Sequence, residues 1–186
     1  MRLPIAILVA AAAVTTAGCS DSNMSTNPSR LASSSVNDDK ANTDRTKTVS
    51  IMDECDGPTF TAHGVACARS GGVKFDTFSA QLARLHEVPE WKFSPGKVNI
   101  RVGDVLAAVN NGGETHSFTE VAEFGGGIVP ALNAGAGLTT VAPECHEAKF
   151  LPPGSSTSEV ADAEGDEKYQ CCIHPWMRTV VHIAEK

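Results

Sequence analysis

The feature that most constrains this chain lies near its C-terminus, where residues 169–178 read YQCCIHPWMR. Cys171, His174 and Met177 follow one another at intervals of three positions. A thiolate, an imidazole and a thioether that converge from one loop are soft ligands, and such a set suits copper better than zinc or calcium. The fold must therefore end a strand in a tight loop and bring further ligands to it from elsewhere in the chain.

A second imidazole is needed, because a trigonal site of two histidines and one cysteine with a weak axial methionine uses two. His116 is the candidate, since it follows a predicted strand and a glycine-containing turn in residues 109–119, VNNGGETHSFT. We interpret the remaining histidines as surface or structural residues, and these are His63, His86, His146 and His182.

With His116, Cys171, His174 and Met177 in this order, the sequence resembles the cupredoxins, or blue copper proteins, of the plastocyanin, azurin and amicyanin kind. The resemblance covers residues 90–186. It implies one type 1 copper held by the cysteine thiolate and the two imidazoles, with the methionine as the long axial ligand. It also implies a one-electron carrier, not an enzyme.

Short segments in which apolar and polar residues alternate, separated by turn signals, predict strands. These segments are residues 49–51, 99–109 (two pieces around a Gly-Asp turn), 117–121, 169–173 and 179–183. Phe75, Phe78, Leu82 and Leu85 recur at helical spacing and predict a short helix. Glycine- and proline-rich stretches, including residues 134–137, are expected to be loops. We therefore expect an all-β fold, a cupredoxin-like antiparallel Greek-key β-sandwich with one short helix.

Two positions depart from the pattern of many cupredoxins. The family often has Asn directly after the first histidine, where its side chain ties the two ligand loops together. Ser117 stands there in this chain, so we expect a shorter or absent brace. The family also often has Pro before the second histidine. Ile173 stands there and keeps a backbone N–H, which we expect to lie close to the Cys171 thiolate and to donate a hydrogen bond to it.

The neighbouring cysteines have to be distinguished. Cys171 matches the family spacing to His174, whereas Cys172 does not, and side chains alternate along a strand so that the two cysteines face opposite ways. With Cys171 assigned to copper and Cys19 to a lipid, four candidates for disulfides remain, namely Cys55, Cys67, Cys145 and Cys172.

Four cysteines allow three connectivities. The pair Cys55–Cys67 closes the shortest loop, and it would stabilise the fold by about 3 kcal/mol through restriction of the unfolded chain. That choice leaves Cys145–Cys172, which would attach a long insertion to the back of the ligand strand. The other connectivities stay open at this point.

The first 18 residues are typical of a secretory leader, because Arg2 precedes an apolar core at residues 5–14 that is too short to cross a bilayer. Residues 16–19, TAGC, resemble a bacterial lipobox, so Cys19 is a candidate for lipidation; an ordinary signal peptide cut near Ala17 is the alternative. Residues 19–47 are polar, lack aromatic side chains and predict a flexible linker. Residues 48–186 are the predicted copper-binding domain.

These features predict a protein on the periplasmic side of the cell envelope, in contact with the membrane through a lipid anchor only. A net charge of −7 argues against nucleic-acid binding and favours a basic redox partner, such as a c-type cytochrome or a membrane oxidoreductase. We expect electrons to pass through His174, with Pro175 and Trp176 as an apolar docking patch. The alternatives are a copper-handling or copper-sensing lipoprotein, and a thiol–disulfide protein that uses Cys171 and Cys172.

Overall fold

The computed structural model describes residues 45–186. The predicted leader, Cys19 and the linker up to residue 44 lie outside the described residues. No helix within residues 45–186 is both long enough and apolar enough to cross a membrane.

Strands make up most of the regular structure. The strands are β1 (Thr46–Met52), β2 (Lys92–Ser94), β3 (Lys97–Arg101), β4 (Val105–Asn110), β5 (His116–Ser117), β6 (Thr119–Val121), β7 (Phe150–Leu151), β8 (Ser156–Val160), β9 (Gly165–Gln170) and β10 (Arg178–Ala184). The helical elements are α1 (Gly57–Ala62), α2 (Phe75–Leu85), α3 (Pro130–Gly135) and a 3-10 turn (Pro143–Glu147).

The strands form two four-stranded sheets, in the orders β2-β1-β4-β8 and β3-β10-β9-β6, and a small ribbon of β5 and β7. The predicted all-β sandwich is confirmed. The pairing is mixed, however, because β1 runs parallel to β4 and β3 runs parallel to β10, while the other pairs are antiparallel. A parallel pair needs a long return connection, and residues 53–104 and 102–177 supply one in each case.

Alternation along β1 places the core and one polar group on the same face. Val49 and Ile51 are fully buried and lie opposite Ala108 and Asn110 of β4. Asp53, one residue beyond the strand, continues the same inward face and is fully buried as well. Because side chains repeat every two residues in a strand, β1 delivers a carboxylate to the end of the apolar core.

The predicted helix is found as α2, and it buries Phe78 and Leu82. Two further helices, α1 and α3, were not predicted, and α3 includes part of the expected loop at 134–137. Each has six residues, which is too short to show an amphipathic period, and each has a proline in its first turn, where the missing N–H costs nothing. Phe60 of α1 packs against Phe78 and Trp91.

The described part of the chain contains two disulfides, Cys55–Cys67 and Cys145–Cys172. The second disulfide joins Cys145 in the 3-10 turn to Cys172, whose side chain points away from that of its neighbour Cys171. Within residues 45–186, Cys171 is the cysteine left without a disulfide, and it is buried.

Candidate metal centre

Three of the four predicted ligands meet in the interior at one end of the sandwich. His116 opens β5, Cys171 directly follows β9, and His174 lies in the turn before β10. The Cys171 Sγ is 3.7 Å from Nδ1 of His116 and 3.9 Å from Nδ1 of His174. All three side chains are almost fully buried, at 0%, 0% and 3% exposure. The C-x2-H spacing and the strand alternation together bring these donor atoms to one point.

The spacing of the donors fits a first-row metal ion. An ion bonded to sulfur at about 2.3 Å and to nitrogen at about 2.0 Å in a trigonal plane keeps the two donors about 3.7 Å apart. The observed separations of 3.7 and 3.9 Å match that value. One thiolate and two imidazoles are the equatorial set that selects copper in electron-transfer sites.

Met177, the fourth predicted ligand, is buried in the same loop. Its N–H donates to the carbonyl of His174 at 2.9 Å, and its own carbonyl accepts from the Cys171 N–H at 3.0 Å. These two backbone hydrogen bonds close the loop on itself and hold Met177 in the core beside Cys171. Its role as the axial ligand stays a prediction.

Two backbone N–H groups point at the Cys171 sulfur, one from Ser117 and one from His174, each at 3.4 Å. The expectation that Ile173 would donate this hydrogen bond is wrong. The turn after Cys171 is tight enough to aim the N–H of the third residue, not the second, back at the side chain. Two donors draw charge from a thiolate and hold its orientation.

Of the two expected outcomes, a shorter brace between the two ligand loops or none, the structure has the shorter brace. The Oγ of Ser117 accepts a hydrogen bond from the backbone N–H of Cys172 at 2.8 Å, and Ser117 is fully buried. Thr119 Oγ1 donates to the same oxygen at 2.9 Å. A serine suffices because the loops lie close enough for the Ser117 N–H to reach the sulfur of Cys171.

A buried carboxylate holds the far side of the first histidine. Nε2 of His116 donates to Oδ2 of Asp53 at 2.8 Å, so the Nδ1 atom is turned toward Cys171. Asp53 also accepts from the backbone N–H groups of Gly113, Glu114 and Cys55 at 2.8, 3.0 and 3.2 Å. A carboxylate on the outer nitrogen of a ligand histidine fixes its tautomer and raises its basicity.

The second histidine has a similar neighbour. Nε2 of His174 lies 3.6 Å from Oε2 of Glu114, which is 4% exposed and accepts a hydrogen bond from Nε1 of Trp91 at 2.5 Å. Both imidazoles therefore present Nδ1 to the sulfur and Nε2 to an interior carboxyl group. Burial raises the pKa of Glu114, against the attraction of His174 and the Trp91 hydrogen bond.

Ionisation of the donors follows from this arrangement in the metal-free protein. Burial alone would raise the pKa of Asp53, but its hydrogen bonds lower that pKa to about 2. Burial alone would lower the pKa of His116, yet Asp53 and Cys171 raise it to about 9. The Cys171 thiol would also be harder to ionise when buried, but the two histidines hold its pKa well below the usual value. These shifts favour a thiolate on Cys171, the form that binds a metal, beside a protonated His116 that has to lose a proton when a metal binds.

Sequence reasoning missed Asp53 and Glu114. The signals were weak but present, since Asp53 extends the alternation of Val49 and Ile51, and Glu114 lies two residues before His116. Neither position could be assigned without knowing that β1 runs beside β4 and ends next to the turn before β5.

Neither a protein-family model nor a curated protein matches the sequence. Among solved structures, the chain is similar to a purple cupredoxin from Nitrosopumilus maritimus, with 15% identity, 74% of this chain and 98% of that chain covered, and a TM-score of 0.42. It is also similar to amicyanin from Paracoccus versutus, with 18% identity, 52% and 76% covered, and a TM-score of 0.35. The two sheets described above make the fold an all-β sandwich. The ligand set rests on the geometry above and not on these similarities.

The surroundings of His174, the expected point of electron exit, differ from our expectation. His174 and Pro175 are buried, so the expected exposed docking patch around His174 is wrong. The rings of Phe78 in α2 and Trp176 lie 6.5 and 5.5 Å from the imidazole, in edge-on contacts. The helices inserted between β1 and β2 cover this ligand, and Trp176 is its partly exposed neighbour.

Proposed function

We propose that this chain is a type 1 copper protein that acts as a one-electron carrier in the bacterial cell envelope. The observation that supports it is the meeting, in the interior, of one cysteine without a disulfide and two imidazole Nδ1 atoms, both of which lie within 3.9 Å of its sulfur. Copper bound there would supply exchange of single electrons between Cu(II) and Cu(I).

The surrounding residues suit that task. Ser117 and Asp53 hold the ligand loops from two sides through buried hydrogen bonds, so the donors are fixed in place before a metal arrives. Fixed ligands keep the rearrangement between oxidation states small. The donor residues are 0–3% exposed, so a substrate has poor access to a metal held between them, which favours a carrier over an enzyme.

The alternatives fit less well. A protein that delivers copper needs an accessible site, whereas the donors here are 0–3% exposed. A thiol–disulfide protein would need Cys171 and Cys172 to react together, but Cys172 is bonded to Cys145. The copper-handling lipoprotein remains the second candidate, because a lipid on Cys19 would suit either role.

The location and partner are part of the proposal. A leader, a lipidated Cys19 and two disulfides are consistent with the periplasmic side of the envelope, where disulfides persist. The net charge of −7 favours a basic redox protein, such as a c-type cytochrome, or a membrane oxidoreductase with a basic docking face.

The test is the visible absorption and electron paramagnetic resonance of the purified chain loaded with one equivalent of Cu(II). We expect an intense thiolate-to-copper band that is lost in Cys171→Ser and lost or strongly weakened in His116→Gln. His182→Gln is the matched control, because His182 is exposed and paired with Asp166 far from the cluster, and it should keep the band. An intense band that survives Cys171→Ser would contradict the proposal, as would a wild-type chain that shows only weak absorption.

A further inference from the structure

A cavity of about 540 Å³ lies between α1, α2, α3 and the loop that carries His174. Phe60, Phe78, Leu82 and Leu132 contribute to its walls. Of the fourteen described residues that line it, the polar ones are Ser79, Glu114 and His174. Its volume falls within the 300–1,000 Å³ range that is common for sites of small organic molecules.

The polar groups are placed at the inner end and at the mouth. Glu114 and His174 are 4% and 3% exposed and form the floor, whereas Ser79 is an exposed residue on α2. The cavity therefore has apolar walls and ends at one carboxyl group beside one imidazole. Water in so apolar a space has few hydrogen-bond partners, which favours its replacement by an apolar molecule.

The chemistry of the walls and floor specifies the ligand. Aromatic rings of Phe60 and Phe78 favour a flat aromatic molecule in stacked or edge-on contact. A carboxylate at the floor accepts hydrogen bonds and repels anions. A charged ligand would lose its hydration among these side chains, and the cost of that loss is large.

We propose that this cavity binds a small uncharged aromatic alcohol, with its ring against the wall that Phe60 and Phe78 form together and its hydroxyl donating to the Glu114 carboxylate beside His174. This binding does not depend on copper.

The test is isothermal titration calorimetry of the full metal-free chain with 2-naphthol. We expect saturable binding, and at least tenfold weaker binding of 2-methoxynaphthalene, which has no hydroxyl hydrogen to donate. Ser79→Phe places a ring in the mouth and should weaken 2-naphthol binding at least tenfold. Ala80→Phe is the matched control, because Ala80 is the next, equally exposed residue of α2 but does not line the cavity. It should bind as the wild type does.

Each result decides the proposal. No saturable binding by the wild type, or equal binding by wild type and Ser79→Phe, overturns it. Equal affinity for the two naphthalenes overturns the hydrogen bond to Glu114. If circular dichroism shows that Ser79→Phe does not fold, Ala83→Phe serves in its place, since Ala83 lines the same mouth. A chain that binds 2-naphthol but gives no intense copper band refutes the electron-carrier function and leaves the cavity assignment standing.

Discussion

Replacing Asp53 by asparagine tests whether a buried carboxylate organises the ligand site. The side chains have nearly the same shape, so the asparagine can keep its oxygen at the position that accepts from His116, Gly113 and Glu114. Its amide nitrogen then faces the N–H of Cys55, which leaves two buried donors opposed. The hydrogen bond to His116 also loses its negative charge.

The pKa of Asp53 gives the size of the effect. Folding lowers it from 3.8 to about 2, and at 1.36 kcal/mol per tenfold change this contributes about 2 kcal/mol of stability at neutral pH. Opposed buried donors add about 1 kcal/mol or more. We expect Asp53→Asn to lower the free energy of unfolding of the metal-free protein by about 2–4 kcal/mol at pH 7, measured by urea titration.

The pH dependence separates the carboxylate from a simple packing defect. Because the folded-state pKa is depressed, this stability is present above the unfolded pKa of 3.8 and is lost as the pH falls through about 2. The difference between wild type and variant should therefore shrink by about 1 kcal/mol from pH 7 to pH 3. Asp162→Asn, at an exposed position, is the control and should change little. An unfolding free energy of Asp53→Asn within about 0.5 kcal/mol of the wild type at pH 7 would refute the reasoning.

Other predictions concern the ligand loop and the partner. In the copper-loaded chain, Cys172→Ser should keep the visible band yet lower stability by about 3 kcal/mol through loss of a disulfide; loss of the band would show that the wrong cysteine had been assigned. Ser117→Ala should lower the free energy of unfolding by about 1–3 kcal/mol in urea titration, because a buried Cys172 N–H loses its acceptor. An unchanged midpoint would show that this hydrogen bond does not stabilise the fold. Ultraviolet titration of the metal-free chain should show the Cys171 thiolate already at neutral pH, in line with its lowered pKa, and a signal that appears only at the usual thiol pKa would contradict this. Electron exchange with a basic c-type cytochrome should slow as salt is added, because the chain carries a charge of −7; a rate that rises with salt would exclude a basic partner.

The sequence predicted what depends on local spacing. The strands around the Gly103-Asp104 turn, the helix Phe75–Leu85 and the convergence of Cys171 with His174 all rest on short periods or on one turn. Local spacing could not predict contacts between segments that are distant in the sequence. Asp53 meets His116 only because β1 pairs in parallel with β4, and no local pattern encodes that neighbour.

Errors in the expected details have the same origin. The spacing from Cys171 could not tell which of two successive N–H groups turns toward the sulfur, since that depends on the hydrogen bonds that close the loop. Likewise, His174 was expected at the surface because the family resemblance began at residue 90. The helices before that residue, which cover the imidazole, had no counterpart in the resemblance.

The adjacent positions of Cys171 and Cys172 also bear on how the chain matures. In the finished fold, one sulfur faces the histidines and the other is bonded to Cys145. Before folding, both are thiols on the same short stretch, and most ways of oxidising the five described cysteines would consume the sulfur of Cys171. Until folding brings the two histidines beside it, Cys171 has no lowered pKa to distinguish its sulfur from the other four, so such errors are numerous. A metal ion bound early would protect the Cys171 sulfur from oxidation. The yield of chains with the two native disulfides would then depend on whether copper or the oxidant arrives first.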